Sequence, residues 1–243
     1  MRRYLILTAV LSLISLSACS VMPIRTVRGS GNVVTETREV DGFDRITISG
    51  IGTLFIEQGD TETLEIEAED NIMPYLESEV RTSTLELGVQ TPGVNLQPSE
   101  RIEYRLTVID LREVEASGTA DIHINELSTE HFEIEISGLG DVTVNALTAV
   151  SVRTDVSGAG DVYVAGTAPD QEVHISGVGS YEAGDLRSET VELEMSGSGS
   201  AEVWAEDRLD VRISGVGNVR YYGSPVVQQR ISGLGNLTQL GER

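Results

Sequence analysis

Three aspartates recur at a spacing that chemistry could use. Asp121, Asp141 and Asp161 stand 20 residues apart, each directly after a Gly-containing tetrapeptide. If successive units stack as neighbouring strands, these carboxylates lie roughly 4.8 Å apart. Like charges that close repel unless water or a cation stands between them. Carboxylates beside turn carbonyls are also the donor set of a weak Ca2+ site. A second acidic column, Glu115, Glu135 and Asp155, falls two residues before the same tetrapeptides and offers the same chemistry on a neighbouring face. The plainer reading is that Asp is favoured beside turns and faces water. The calcium repeat Gly-Gly-x-Gly-x-Asp is not matched, because here Asp follows directly on the tetrapeptide.

Other chemistries find less support. His123, His131 and His174 share no metal-ligand spacing and read as surface residues. No serine lies in a Gly-x-Ser-x-Gly setting. The Gly-x-Gly segments join strand to strand, with no helix N-terminus after them and no lysine nearby, so they are not phosphate loops. No catalytic residues are assigned and no cofactor is expected beyond the Ca2+ considered above.

The elements that position these residues are repeats. Ser-Gly-x-Gly occurs at Ser49–Gly52, Ser137–Gly140, Ser157–Gly160, Ser176–Gly179, Ser196–Gly199, Ser214–Gly217 and Ser232–Gly235, with a degenerate copy at Ser117–Ala120. From Ser117 onward the serines are 20, 20, 19, 20, 18 and 18 residues apart. The residue before each serine is apolar: Ile48, Ala116, Ile136, Val156, Ile175, Met195, Ile213 and Ile231. Five residues after each come Leu54, Ile122, Val142, Val162, Tyr181, Ala201, Val219 and Leu237. Polar residues alternate with them, which is the period of a strand with one buried face. A unit this short cannot bury its apolar face alone, so equivalent units must stack. The expectation is an all-β, single-chain β-solenoid (β-helix) of ~18–20-residue strand–Gly-turn–strand repeats. Ser137, Gly138, Gly140, Ser157, Gly158, Gly160, Ser214, Gly215 and Gly217 exemplify the turn, whose glycines are expected to permit positive φ. A sandwich or barrel of hairpins explains the alternation but not the constant spacing. Gln229 and Gln239 fall in columns that are apolar elsewhere, which reads as a C-terminal cap.

The N-terminal part, 41–100, is less regular than 101–240. Strands are expected near 45–49, 53–58, 63–68 and 84–89. Asp70 or Asn71 could cap a short helix with Pro74 in its first turn. Residues 91–101, with Pro92, Gly93 and Pro98, read as a loop.

The start of the chain concerns location. Arg2 and Arg3 precede a mostly apolar run over 5–16, the length of a signal-peptide core and too short for a mature membrane span. Leu16-Ser17-Ala18-Cys19 resembles the lipobox of bacterial lipoproteins, which implies cleavage after residue 18 and lipidation of Cys19. Cys19 is the only cysteine, so no intramolecular disulfide forms. Multiple acyl chains give stable anchoring. Ser20 after the cysteine suggests the outer membrane of a Gram-negative envelope. Residues 19–40 then read as the lipidated cysteine and a polar tether. The net charge is −22 and there is no lysine. That balance argues against nucleic-acid binding and against adsorption to anionic lipid.

Gly42-Phe43-Asp44-Arg45-Ile46, the Ser-Gly turn after it, Glu57-Gln58-Gly59-Asp60, the segment 64–77 and the repeated Ser-Gly-x-Gly-Asp turns together resemble the GIN domain, described as an auto-transporter adhesin head. The resemblance covers roughly 40–240. It implies an exported β-helical protein, often a lipoprotein, with adhesion inferred as its role. Neither an auto-transporter barrel nor a coiled-coil stalk is visible in this sequence. The functional expectation is a non-catalytic cell-envelope lipoprotein that acts as an adhesin-like binding module for a protein or glycan, with its oligomeric state open. Tyr163, Trp204, Tyr221 and Tyr222 are the aromatics available to stack on a sugar. The alternatives are a periplasmic scaffolding lipoprotein and, third, a β-helical carbohydrate-active enzyme.

Overall fold

The structure is a computed structural model that describes residues 25–89 and 93–243. Cys19 and the signal-like segment lie outside the described residues. The chain winds as an all-β solenoid, as the repeat implies. Each coil returns to its start about 20 residues later, so equivalent strands run parallel. The residues before the Ser-Gly corners form one register: Leu87, Ile48, Ala116, Ile136, Val156, Ile175, Met195, Ile213 and Ile231. Those after the corners form a second: Tyr104, Leu54, Ile122, Val142, Val162, Tyr181, Ala201, Val219 and Leu237. A shorter third face stacks Leu127, Leu147, Gly166 and Leu186. Apart from the last coil, where Ile231 and Leu237 are partly exposed, and Gly166 with its lack of a side chain, these residues are buried. Each column therefore becomes a continuous strip of core, and apolar burial is what holds coil to coil.

The corner glycines serve a different purpose from the one expected. Positive φ occurs at Gly52 but at none of the later Ser-Gly-x-Gly glycines. Close stacking requires them instead. A Cβ on Gly158 would fall 2.7 Å from the Ser137 carbonyl carbon and nearer still to the Gly138 oxygen. The same clash recurs at Gly138, Gly177, Gly197, Gly215 and Gly233. The backbones meet face to face at this edge, and any side chain would force the coils apart.

Three N-terminal expectations are corrected. Arg25–Arg28 and Val33–Arg38, expected within a tether over 19–40, are strands: the first pairs parallel with Val94–Gln97, the second antiparallel with Thr63–Glu69. Val94–Gln97 also interrupts the loop expected at 91–101. The expected helix is a single 3-10 turn, Met73–Tyr75, with Ile72 at its N-cap and no side-chain cap. Asp70 and Asn71 are engaged elsewhere. Asp70 accepts from the Ser30 hydroxyl (2.5 Å) and the Asn32 amide (2.9 Å). Asn71 donates to the Arg28 carbonyl (2.7 Å) and accepts from Ser30 N–H (3.0 Å). Glu69, 1% exposed, accepts from Gly31 N–H (2.6 Å) and from the N–H and hydroxyl of Ser99. These three consecutive residues pin the N-terminal strands to the solenoid. The hydrogen bonds hold the Glu69 and Asp70 carboxyls below their ordinary pKa, led by Ser99 and Ser30 respectively.

Candidate functional site

The Ser-Gly-x-Gly corner forms a continuous edge along the solenoid. Its third position stacks in register through Ile51, Thr119, Leu139, Ala159, Val178, Ser198, Val216 and Leu234. The geometry turns these side chains outward, because the glycines on either side face the neighbouring coil. Leu139 is 57% exposed, Val178 61%, Val216 53% and Leu234 75%. The one signal for this in the sequence is the choice of Leu and Val at a turn position that accepts Ser or Asn. The serines beside it, including Ser137, Ser157 and Ser214, are exposed at the same edge.

The aspartates flank this stripe and form a ladder. Asp121 Oδ1 accepts from Asp141 N–H (3.1 Å), Asp141 Oδ1 from Asp161 N–H (2.8 Å), and Asp161 Oδ1 from Ser180 N–H (2.7 Å). Each carboxylate thus satisfies a backbone donor of the next coil, which accounts for Asp at this place in geometric terms. The column continues with Ser200 Oγ donating to Ser180 Oγ (3.2 Å) and the Asn236 amide donating to Asn218 (3.3 Å). Among the described residues no group of three or more His, Cys, Asp or Glu side chains is placed to hold a metal ion.

The second acidic column stacks as predicted, Glu115 beside Glu135 beside Asp155, and then His174. Partial burial pushes the Glu135 carboxyl up, reinforced by Glu115 and Asp155 on either side. Glu113 is raised likewise by burial and by Glu133. Arg153 offsets part of this charge, reaching Glu133 (3.5 Å), Asp155 (2.8 Å) and Glu172 (2.7 Å). The histidines do not converge. His123 stacks on Phe55 (centroids 5.3 Å apart), His131 meets Ser151 Oγ (2.8 Å), and His174 lies beside Asp155 (3.5 Å). Arg105 lies over the other side of Phe55, at 5.6 Å from its centroid. Tyr163, Trp204, Tyr221 and Tyr222 are all half-buried. Tyr163 donates its hydroxyl to Asp185 (3.2 Å), and Arg243 lies over one face of the Tyr222 ring (4.8 Å to the centroid).

The family described as "Putative auto-transporter adhesin, head GIN domain" matches residues 42–225. The chain belongs to this family. A crystal structure of a "putative adhesin" from Bacteroides fragilis is 29% identical, with TM-score 0.85, covering 88% of this chain and 100% of that one. A "putative adhesin" from Parabacteroides distasonis is 25% identical, with TM-score 0.70, and covers 88% of this chain and 100% of its own. A "putative lipid binding protein" from the same species shares the fold at 22% identity and TM-score 0.75, covering 89% and 100%. No curated protein matches the sequence.

Proposed function

We propose that this GIN-domain protein is a non-catalytic cell-envelope lipoprotein that binds an extended partner along its Ser-Gly-x-Gly corner. The exposed apolar stripe of Leu139, Val178, Val216 and Leu234 carries this reading. An apolar column on so acidic a surface is the kind of feature that marks an interaction site. Its repetition along the solenoid, with Ala159 and Ser198 between the larger residues, suits a partner that is itself elongated, whether a protein segment or a glycan chain. Family membership supports adhesion as the purpose, and lipidation at Cys19 would fix the solenoid to the outer membrane by its N-terminal end.

The experiment compares cells carrying the native chain with cells carrying Leu139→Ser, Val178→Ser, Val216→Ser and Leu234→Ser together. Attachment to immobilised glycans and matrix proteins should fall to background while the melting temperature of the purified chain changes little. Attachment that is indifferent to all four substitutions would remove the corner from the account. Radiolabelled palmitate should enter the native chain and not a Cys19→Ser variant.

A further inference from the structure

The two ends of the solenoid are built differently. On the face that precedes the corners, the N-terminal end finishes in a hairpin strand: Leu76–Arg81 pairs antiparallel with Thr84–Val89, and Arg38 caps it by donating to the Leu76 carbonyl (2.8 Å) and the Ser78 hydroxyl (3.0 Å). The C-terminal end of the same face is open. Val226–Ile231 pairs with the coil before it, and among the described residues nothing pairs with its other side. Its inward positions, Val227, Gln229 and Ile231, continue the columns of Leu209, Val211 and Ile213, each at most 1% exposed. Yet Ile231 is 38% exposed and Gln229 is exposed as well. The core therefore runs out to solvent here, and the expected cap is incomplete: Gln239 folds back onto the Gly223 carbonyl (2.8 Å), whereas Gln229 is left uncovered.

Charge follows the same axis. Residues 25–207 hold 10 Arg against 37 Asp and Glu, a net charge of −27, whereas residues 208–243 hold 5 Arg against 2 acids, a net charge of +3. Two copies of so acidic a body repel along most of their surfaces, and this end is where they approach at least cost.

We propose that a second copy of the chain occupies this edge, joined by antiparallel pairing of Val226–Ile231 with itself about a two-fold axis through Gln229. A two-fold interface must be self-complementary, and this strand is. Centred on Gln229, the pairing sets Val227 opposite Ile231 of the second copy on the core side. It places the two Gln229 amides against each other, each able to donate and accept. On the outer face Gln228 meets Arg230, which makes no ion pair among the described residues and finds an amide oxygen there. Both open cores gain cover, and the unpaired edge that would template aggregation disappears. The last coil, 224–243, supplies about 20 residues, the lower end of what a standard interface uses on each side. Because a two-fold contact uses the same edge of both copies, that edge is consumed in each and the pairing stops at two copies.

The test uses the full chain carrying Cys19→Ser, so that an introduced thiol is its only one. Light scattering should give twice the chain mass at micromolar concentration. Gln229→Cys should oxidise to a covalent dimer, since directly opposed Cβ atoms come within about 5 Å, whereas exposed Glu126→Cys should not. Gln229→Glu places two carboxylates on the axis and should weaken the dimer at least ~10-fold at pH 7, with recovery near pH 4. A monomer up to ~100 µM, a dimer that Gln229→Glu leaves unchanged, or an open-ended polymer would each overturn the proposal.

Discussion

Replacing Gly158 by alanine is the sharpest test of how the coils are held. The added Cβ would sit 2.7 and 2.8 Å from the carbon and oxygen of the Ser137 carbonyl, and nearer still to the Gly138 oxygen. All of these are backbone atoms, so no side chain can swing aside. Relief requires the coils to separate by about 1 Å locally, since carbon atoms pack at ~3.5–4.0 Å. Two hydrogen bonds cross this point: Gly158 N–H to the Ile136 carbonyl and Ala159 N–H to the Gly138 carbonyl, both 2.9 Å. A separation of that size carries both beyond useful range. Each lost bond costs about 1–3 kcal/mol when its groups stay unpaired, and overpacking adds about 1–3 kcal/mol. A loss of roughly 3–9 kcal/mol follows from these terms, a large part of the ~5–15 kcal/mol typical of a folded domain. At about 2–4 °C per kcal/mol for a chain of this size, Tm should fall by at least about 6–12 °C. Gly50 is the internal control. It holds the same place in the motif, but its nearest neighbour is the Gly88 Cα at 3.5 Å, an ordinary contact, and its φ is not positive. Gly50→Ala should stay within ~1 kcal/mol of the native chain, or gain slightly from reduced unfolded-state entropy. Thermal or urea unfolding of the two variants decides the matter. Equal effects at both positions would refute the stacking argument.

Asp141→Asn keeps an oxygen to accept from Asp161 N–H and should unfold close to the native chain, whereas Asp141→Ala should lose about 1 kcal/mol; if both lose stability equally and only the native chain is stabilised by millimolar Ca2+, the ladder is a cation site. Glu135 binds its proton more tightly folded than unfolded, because burial and its acidic neighbours raise its pKa above 4.5. Its ionisation therefore opposes folding as pH rises through the window above 4.5. Glu135→Gln should raise Tm at pH 7 by the equivalent of ~0.5–1 kcal/mol and leave it unchanged near pH 4. Glu69 has the opposite sign: its pKa is lowered, so its contribution is present above 4.5 and fades on acidification. Glu69→Gln should accordingly flatten the acid side of the stability curve and speed proteolysis near residues 25–38.

The solenoid was legible because its evidence is repetition. A period near 20 residues with alternating apolar positions admits few other packings, and every predicted column appears in register. The corner was only half legible. Gly158 and its equivalents stand out as glycines, but sequence alone does not distinguish a glycine needed for positive φ from one needed for close approach. The outward column at Leu139, Val178, Val216 and Leu234 was hidden for a related reason: apolar residues in a repeat are assumed to face the core. The N-terminal segment misled more fully. Asp70, Asn71 and Pro74 make a sound local helix start, but long-range partners at Arg28, Ser30 and Asn32 claim the two side chains, and no local pattern announces a contact 38 to 43 residues away. Val94–Gln97 likewise becomes a strand only because Arg25–Arg28 lies beside it.

The central claim is that the corner of this GIN-domain solenoid faces outward from the cell to meet a partner. Val178, 61% exposed at that corner, provides a direct probe. A Val178→Cys chain, expressed in intact cells, is treated with a membrane-impermeant maleimide beside a periplasmic cysteine control. The account predicts labelling of Val178→Cys before lysis while the control stays dark. Labelling that appears only after the envelope is opened would contradict it, and would turn the search towards a partner inside the envelope.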